Sequence, residues 1–187
     1  MKKLSIVLTI LVLSVSLLSA SGGKEAHIEA AAETTTADAV TSASFGNVSL
    51  EWEVSESGDE IIFILNAKTT GWIAVGFDPS QIMKDAQFVI GYVNSGDVEI
   101  RDDFGNSSFT HAPDTSLGGT DDVRLISGRE ENEWTQLIFA LPVNSGDDKD
   151  VPLTLGEKHK ILLAFGPDNK DDFRTTHAFR TSFEGIF

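Results

Sequence analysis

From Phe45 onward, apolar and polar residues alternate with a period of two. Val48, Leu50, Trp52 and Val54 fall on one face and polar residues on the other, the pattern of a half-buried β-strand. Ser57-Gly58-Asp59 is a turn signal, and Ile61 to Ala67 predicts a second strand. Gly71-Trp72-Ile73-Ala74-Val75-Gly76-Phe77 is rich in β formers and bounded by glycine and Pro79, which predicts a third. Ala86 to Val93, the turn Asn94-Ser95-Gly96-Asp97 and Val98 to Phe104 predict a hairpin. A long polar loop is expected from Gly105 to Thr120. Asp122 to Arg129 and Glu133 to Val143 form a further hairpin around Glu130-Glu131-Asn132, followed by a loop over Asn144 to Lys149. Lys160 to Gly166 is a strongly apolar strand, Pro167 to Arg174 is polar, and Thr175 to Phe187 closes the chain. No long helical period occurs. About nine short strands with frequent turns predict an all-β sandwich or barrel.

The first residues obey a different rule. Met1-Lys2-Lys3 precede an apolar run from Leu4 to Leu18, and then come Ser19, Ala20, Ser21, Gly22 and Gly23. A basic start, a short apolar core and a small-residue end read as a secretory signal peptide over 1–20. The run falls short of the roughly 20 apolar residues of a spanning helix. The expected location is therefore exported, periplasmic or extracellular, with an uncleaved signal as the alternative anchor and no other transmembrane span. Residues 21–44 hold only Ile28 and Val40 as large apolar side chains. Such a segment buries too little to offset its ordering entropy and reads as a disordered spacer. The folded domain is expected over 45–187.

Composition narrows the chemistry. The chain has no cysteine, which excludes a lipoprotein anchor, disulfides, thiolate catalysis, iron–sulfur clusters and covalently attached c-type haem. The formal charge is −15. Loss of the two leader lysines would take it to about −17. Such a surface repels phosphate backbones and excludes nucleic acid; it suits a basic partner protein or a cation.

The side chains available for chemistry are few. Histidine occurs at 27, 111, 159 and 177, too few for a usual His/Cys zinc site. No nucleophile motif supports a catalytic triad, so no catalysis of its own is expected. Paired acids recur at Asp102-Asp103, Asp121-Asp122, Asp147-Asp148 and Asp171-Asp172. They read as solvated turn acids, with a calcium site as the alternative because clustered loop carboxylates suit that ion. Met83 is the one methionine after the initiator and lies in a polar loop, Asp78 to Asp85, between two strong strands. That position suggests either a ligand or an irregular gap filler. Trp52, Trp72 and Trp134 sit in strand-like segments and read as core, with stacking faces for a sugar as the alternative.

These segments together resemble the DOMON domain family, which includes the cytochrome domain of cellobiose dehydrogenase and the domain preceding cytochrome b561 modules. The resemblance lies in Gly71 to Phe77, Met83 and Asp85 to Tyr92. It continues through Asp102-Asp103-Phe104, Pro113-Asp114 with Gly118 to Asp122, Asn144 to Asp147 with Asp150, and Ile161 to Gly166 followed by His177. It covers about Phe45 to Phe187 and implies an immunoglobulin-like β-sandwich. It also implies b-type haem held between a methionine and a histidine, which this chain matches with Met83 and His177 as iron ligands. Trp72, Arg174 and Arg180 would contact the cofactor, the two arginines by meeting haem propionates. His111 is the rival imidazole, and His159 looks like a solvated strand end. Ala140 stands near a position where many members carry arginine. The function implied is one-electron transfer to a separate redox partner with a basic docking surface. The alternative is a haem-free module that binds sugar or protein.

Overall fold

The computed structural model describes residues 41–187; the expected signal peptide, His27 and all of the expected spacer but its last four residues lie outside them. Eleven strands form two antiparallel sheets. The first contains β1 (Ser42–Ser44), β2 (Val48–Val54), β3 (Glu60–Ala67), β8 (Arg124–Glu131) and β9 (Trp134–Pro142). The second contains β4 (Ile73–Phe77), β5 (Gln87–Asn94), β6 (Asp97–Ser107), β7 (Thr110–Pro113), β10 (Lys158–Phe165) and β11 (Phe179–Ile186). Their orders are β1-β2-β3-β9-β8 and β11-β10-β4-β5-β6-β7. The expected all-β sandwich is what forms, and no α-helix occurs among the described residues. No helix there is long and apolar enough to cross a membrane.

The alternation read from the chain is the physical cause of the core. Val48, Leu50 and Trp52 of β2, Ile61, Phe63 and Leu65 of β3, and Leu137, Phe139 and Leu141 of β9 all point inward and are buried. Ile73, Val75 and Phe77 of β4, Val89 of β5, and Ile161 and Leu163 of β10 meet them from the other sheet. Phe63 is central, with its ring 5.2 Å from Phe77, 5.4 Å from Phe139 and 5.6 Å from Phe187.

The centre of the second sheet is buried on both faces. All five residues of β4 are buried, and Trp72, Ala74 and Ile90 form a separate apolar cluster with Tyr92, Ala164 and Phe173 packed against it. Continuous apolar strands are the mark of a sheet covered on both sides. The outward residues Ala74 of β4 and Ala164 of β10 are small, where the inward Ile73, Val75, Phe77, Ile161 and Leu163 are large. Small residues on that outer face leave room above it, and a cavity lies there.

Several local expectations differ from the structure. Ser42–Ser44, placed at the end of the spacer, form β1 and pair with Ser49 to Glu51 of β2; three small residues suffice because the pairing is through backbone and only Ala43 touches the core. The loop expected over 105–120 contains β7 and a short 3-10 turn, Asp114–Ser116. His159 is no solvated strand end. It is buried, its Nδ1 lies 2.6 Å from the Asp78 carboxylate and its Nε2 3.0 Å from the Thr154 carbonyl, and its ring stacks 4.9 Å from Phe187. Trp134 is 38% exposed at the start of β9 rather than core.

Candidate functional site

A cavity of about 470 Å³ opens on the outer face of the second sheet. Its floor is Ala74, Phe88, Ile90, Leu162 and Ala164, the outward side chains of β5, β4 and β10. Met83, His177, Trp72, Arg174 and Arg180, five residues from three separate stretches of chain, all line it. So does His111. Lys160 adds a third cationic side chain, and no carboxylate is among the lining residues, in a chain whose net charge is −15.

Met83 is held at the tip of a tight loop. The Ser80 amide donates to the Lys84 carbonyl at 2.8 Å, and the Lys84 amide to the Gln81 carbonyl at 2.7 Å. The turn requires positive φ at Ile82 (54°) and Asp85 (63°), and the Ser80 hydroxyl ties the Asp85 carboxylate at 2.5 Å. Strand β6 clasps this loop from behind. The Asp85 amide donates to the Gly105 carbonyl at 2.7 Å and the Gly105 amide to the Ala86 carbonyl at 2.8 Å. A Cβ at Gly105 would collide with the Met83 carbonyl, so only glycine lets the two backbones approach this closely. Gly105→Ala should therefore displace Met83 from the cavity wall. The expected result is a cooperative fold with a lower melting temperature and a changed methyl resonance for Met83; an unmoved resonance would count against this role for Gly105.

His177 lies in the stretch before β11 and is held from three sides. The Ala178 amide donates to the Phe165 carbonyl at 2.8 Å. The Asp172 carboxylate caps the preceding turn, accepting from the Arg174 and Thr175 amides at 2.7 and 2.6 Å and from the Thr175 hydroxyl at 2.7 Å. Those bonds hold its carboxyl below the usual range. The Trp72 indole N–H donates to the Thr175 carbonyl at 3.1 Å, and its ring lies across Gly166, where a Cβ would clash. Trp72 thus lines the cavity and fixes the segment that carries His177. Arg174 and Arg180 are exposed on the same segment and pair with no carboxylate among the described residues.

His111 is on strand β7, not in a mobile loop. Its Nδ1 hydrogen-bonds the fully buried Asp103 carboxylate, which also receives Arg101 at 2.5 and 2.6 Å. Burial would push the Asp103 carboxyl up, but the bonds from His111 and Arg101 outweigh it and the net shift is downward. Arg101 in turn lies 4.2 Å over the ring of Phe173 on the cavity wall. The alternation of the chain gives no sign of this pair, because Asp102-Asp103 has the composition of turn acids. Both residues are instead buried in β6, in register with Val89 and Phe88. They therefore point to opposite faces of the sheet: Asp103 toward the cavity wall, Asp102 toward a cluster of acids at one end of the sandwich.

The DOMON domain family matches residues 44–166 of the chain. The chain belongs to the DOMON domain family. Among curated proteins, this DOMON chain is 27% identical over 133 residues to DBH-like monooxygenase protein 2 of Mus musculus, covering 71% of the chain and 21% of that protein. It is 27% identical over 143 residues to DBH-like monooxygenase protein 1 of Homo sapiens, covering 72% and 22%. The chain thus spans about a fifth of the length of these relatives. Among solved structures, the fold is shared with the cytochrome b domain of pyranose dehydrogenase from Coprinopsis cinerea. That match has a TM-score of 0.55 and 14% identity, over 73% of this chain and 75% of that one. The cytochrome domain of Myriococcum thermophilum cellobiose dehydrogenase matches with a TM-score of 0.53 and 10% identity, over 74% of each chain.

The residue types in the DOMON cavity suit a flat, largely apolar group with carboxylate substituents and a metal at its centre. The walls are mostly apolar, as ligand sites generally are. The thioether and imidazole are soft and borderline donors, and the free arginines suit carboxylates as bidentate donors. Trp52 offers no stacking face. It is buried, its indole N–H donates to the Ile186 carbonyl at 3.0 Å, and Phe187 packs on it edge-on at 5.7 Å.

Proposed function

We propose that this DOMON domain is an exported one-electron carrier that binds b-type haem in the cavity on the outer face of the second sheet, between Met83 and His177. The observation that carries this reading is the convergence of Met83 and His177 on one apolar-floored cavity that also holds two unpaired arginines. Two solved proteins that share the fold are cytochrome domains, which supports the same reading.

Haem would supply the reversible one-electron change. The protein's own residues bind, orient and insulate. Ala74 and Ala164 keep the floor low enough for a flat ring to lie against it, while Phe88, Ile90 and Leu162 exclude water. The Met83 thioether and His177 imidazole would offer one soft and one nitrogen ligand, a pairing that favours a higher potential than two imidazoles. Arg174 and Arg180 would pair with the propionates. Exposed Ile82 and Phe109, the latter 76% exposed, stand at the rim and would meet a separate redox partner.

Filling the floor tests the reading without touching a ligand. Ala164→Phe should abolish uptake of haem by the purified chain. The fold should survive, because Ala164 faces away from the main core. A variant that still takes up haem with wild-type affinity would place the binding site elsewhere. The reading of a haem-free sugar-binding module would be favoured by calorimetric binding of a glycan at the exposed Trp134.

A further inference from the structure

A second constellation lies at one end of the sandwich and plays no part in the cavity. We propose that Asp102, Asp114 and Asp150, extended by Asp122 and Asp147, form a calcium site that pins four chain segments together. One carboxylate oxygen from each of Asp102, Asp114 and Asp150 lies within 4.8 Å of the other two, and the same holds for Asp122, Asp147 and Asp150. Two oxygens bound to the same Ca²⁺ at about 2.3–2.6 Å can be at most about 5 Å apart, so each triad already has the spacing of a shared ion.

Proximity of acids alone would mean little. The deciding feature is that the two most deeply buried members have no partner. Asp114 is fully buried and neither of its carboxylate oxygens makes a hydrogen bond. Asp102 is 1% exposed; its Oδ2 accepts only a long bond from the Asp122 amide at 3.3 Å, and its Oδ1 accepts none. Both oxygens of Asp150 are likewise buried without a partner. Buried polar groups are almost always satisfied, and an orphaned carboxylate in a native structure points to an ion or water. No ion pair among the described residues involves any of the five carboxylates. No cationic side chain pairs with these carboxylates, and a bound cation would supply the missing partner.

The donor set selects the ion. All five side chains are carboxylates, with no histidine and no thiolate among them, which is the preference of a hard cation. Magnesium usually keeps several waters and one or two carboxylates, whereas calcium accepts many oxygens in irregular arrangement. The segments joined are β6 (Asp102), the 3-10 turn (Asp114), the stretch before β8 (Asp122) and the loop after β9 (Asp147, Asp150). Asp102 belongs to one sheet and the β8 and β9 segments to the other, so an ion here would tie the sheets together. The site is independent of haem.

The test uses the full chain after chelator treatment, titrated with CaCl₂ alone by calorimetry and followed by thermal melting. One Ca²⁺ per chain should bind with a Kd at or below about 1 mM, the range of extracellular modules. At saturating CaCl₂ the melting temperature should rise by about 5 °C over NaCl at matched ionic strength, because a ligand of the native state stabilises it by mass action. Asp114→Asn and Asp150→Asn should each remove that rise; if Asp114→Asn does not fold, Asp150→Asn decides. A wild-type rise no larger than in NaCl would overturn the proposal, as would an undiminished rise in the variants.

Discussion

Chelator-treated protein should lose several kcal/mol of stability between pH 5 and pH 8. The cause is the buried acid cluster. Burial, with repulsion from Asp150 and Asp114, pushes the Asp102 carboxyl up to about 9. Burial and the neighbouring Asp150 and Asp147 push Asp114 up to about 7. Burial, then Asp122 and Asp147, push Asp150 up to about 6. In the unfolded chain each would titrate near about 3.9. The folded protein therefore holds more protons than the unfolded one above about pH 4, and stability falls as pH rises. That stability is fully present below about pH 4. The share of Asp150 and Asp114 is lost by about pH 7, and that of Asp102 as pH rises through about 9. Asp121, Asp122 and Asp147 face the same space with Lys149, whose amide donates to Asp147 and helps hold it below the usual range. Asp103 works in the opposite sense. Its lowered carboxyl contributes stability above about pH 4 that is lost as the solution is acidified further. Urea unfolding with EDTA at pH 5, 6.5 and 8 measures the difference. Stability that is flat or rises across that range would show that the carboxylates are not buried together as the fold places them.

Replacing His177 with alanine should weaken haem binding by about 100-fold, equivalent to about 2.8 kcal/mol. It removes the imidazole while leaving the floor and the Asp172 cap intact. Met83→Ala should cost less affinity but lower the reduction potential, because the thioether is the ligand that favours the reduced state. His111→Ala should leave the low-spin spectrum in place. His111 is the serious rival, since a carboxylate on the other ring nitrogen is how metal-bound histidines are commonly oriented, and Asp103 supplies one. Titrating haem into the three variants and recording spectra and potentials separates the cases. Loss of the low-spin spectrum in His111→Ala with its retention in His177→Ala would move the ligand to β7.

Much of this was legible in the chain because the physics involved is local. Val48 to Val54 alternates strictly, and β2 has those bounds. The glycine-bearing turn at Asn94 to Asp97 joins β5 to β6. The uninterrupted apolar run before Phe77 suits a strand covered on both faces, and Ala74 and Ala164 lie on the face with room above it. What could not be read depended on distant pairing. Strand β7 is a short edge strand ending in Pro113, so its four residues carry little β signal and pair only because β6 lies alongside. Asp102 and Asp103 look like turn acids until β6 is seen to extend past them. His159 looks solvated until Asp78 arrives from 81 residues away. The contribution of Gly105 to placing Met83 is a backbone approach with no local signature.

The most direct measurement is the absorption spectrum of the full chain mixed with stoichiometric haem and then reduced. A cavity walled by Ala74, Ile90, Leu162 and Ala164 and carrying Met83 and His177 predicts a saturable, sharpened Soret band at one haem per chain. On reduction it predicts the split α and β bands of a low-spin, six-coordinate iron. A spectrum indistinguishable from free haem, at any ratio of haem to protein, would contradict the account.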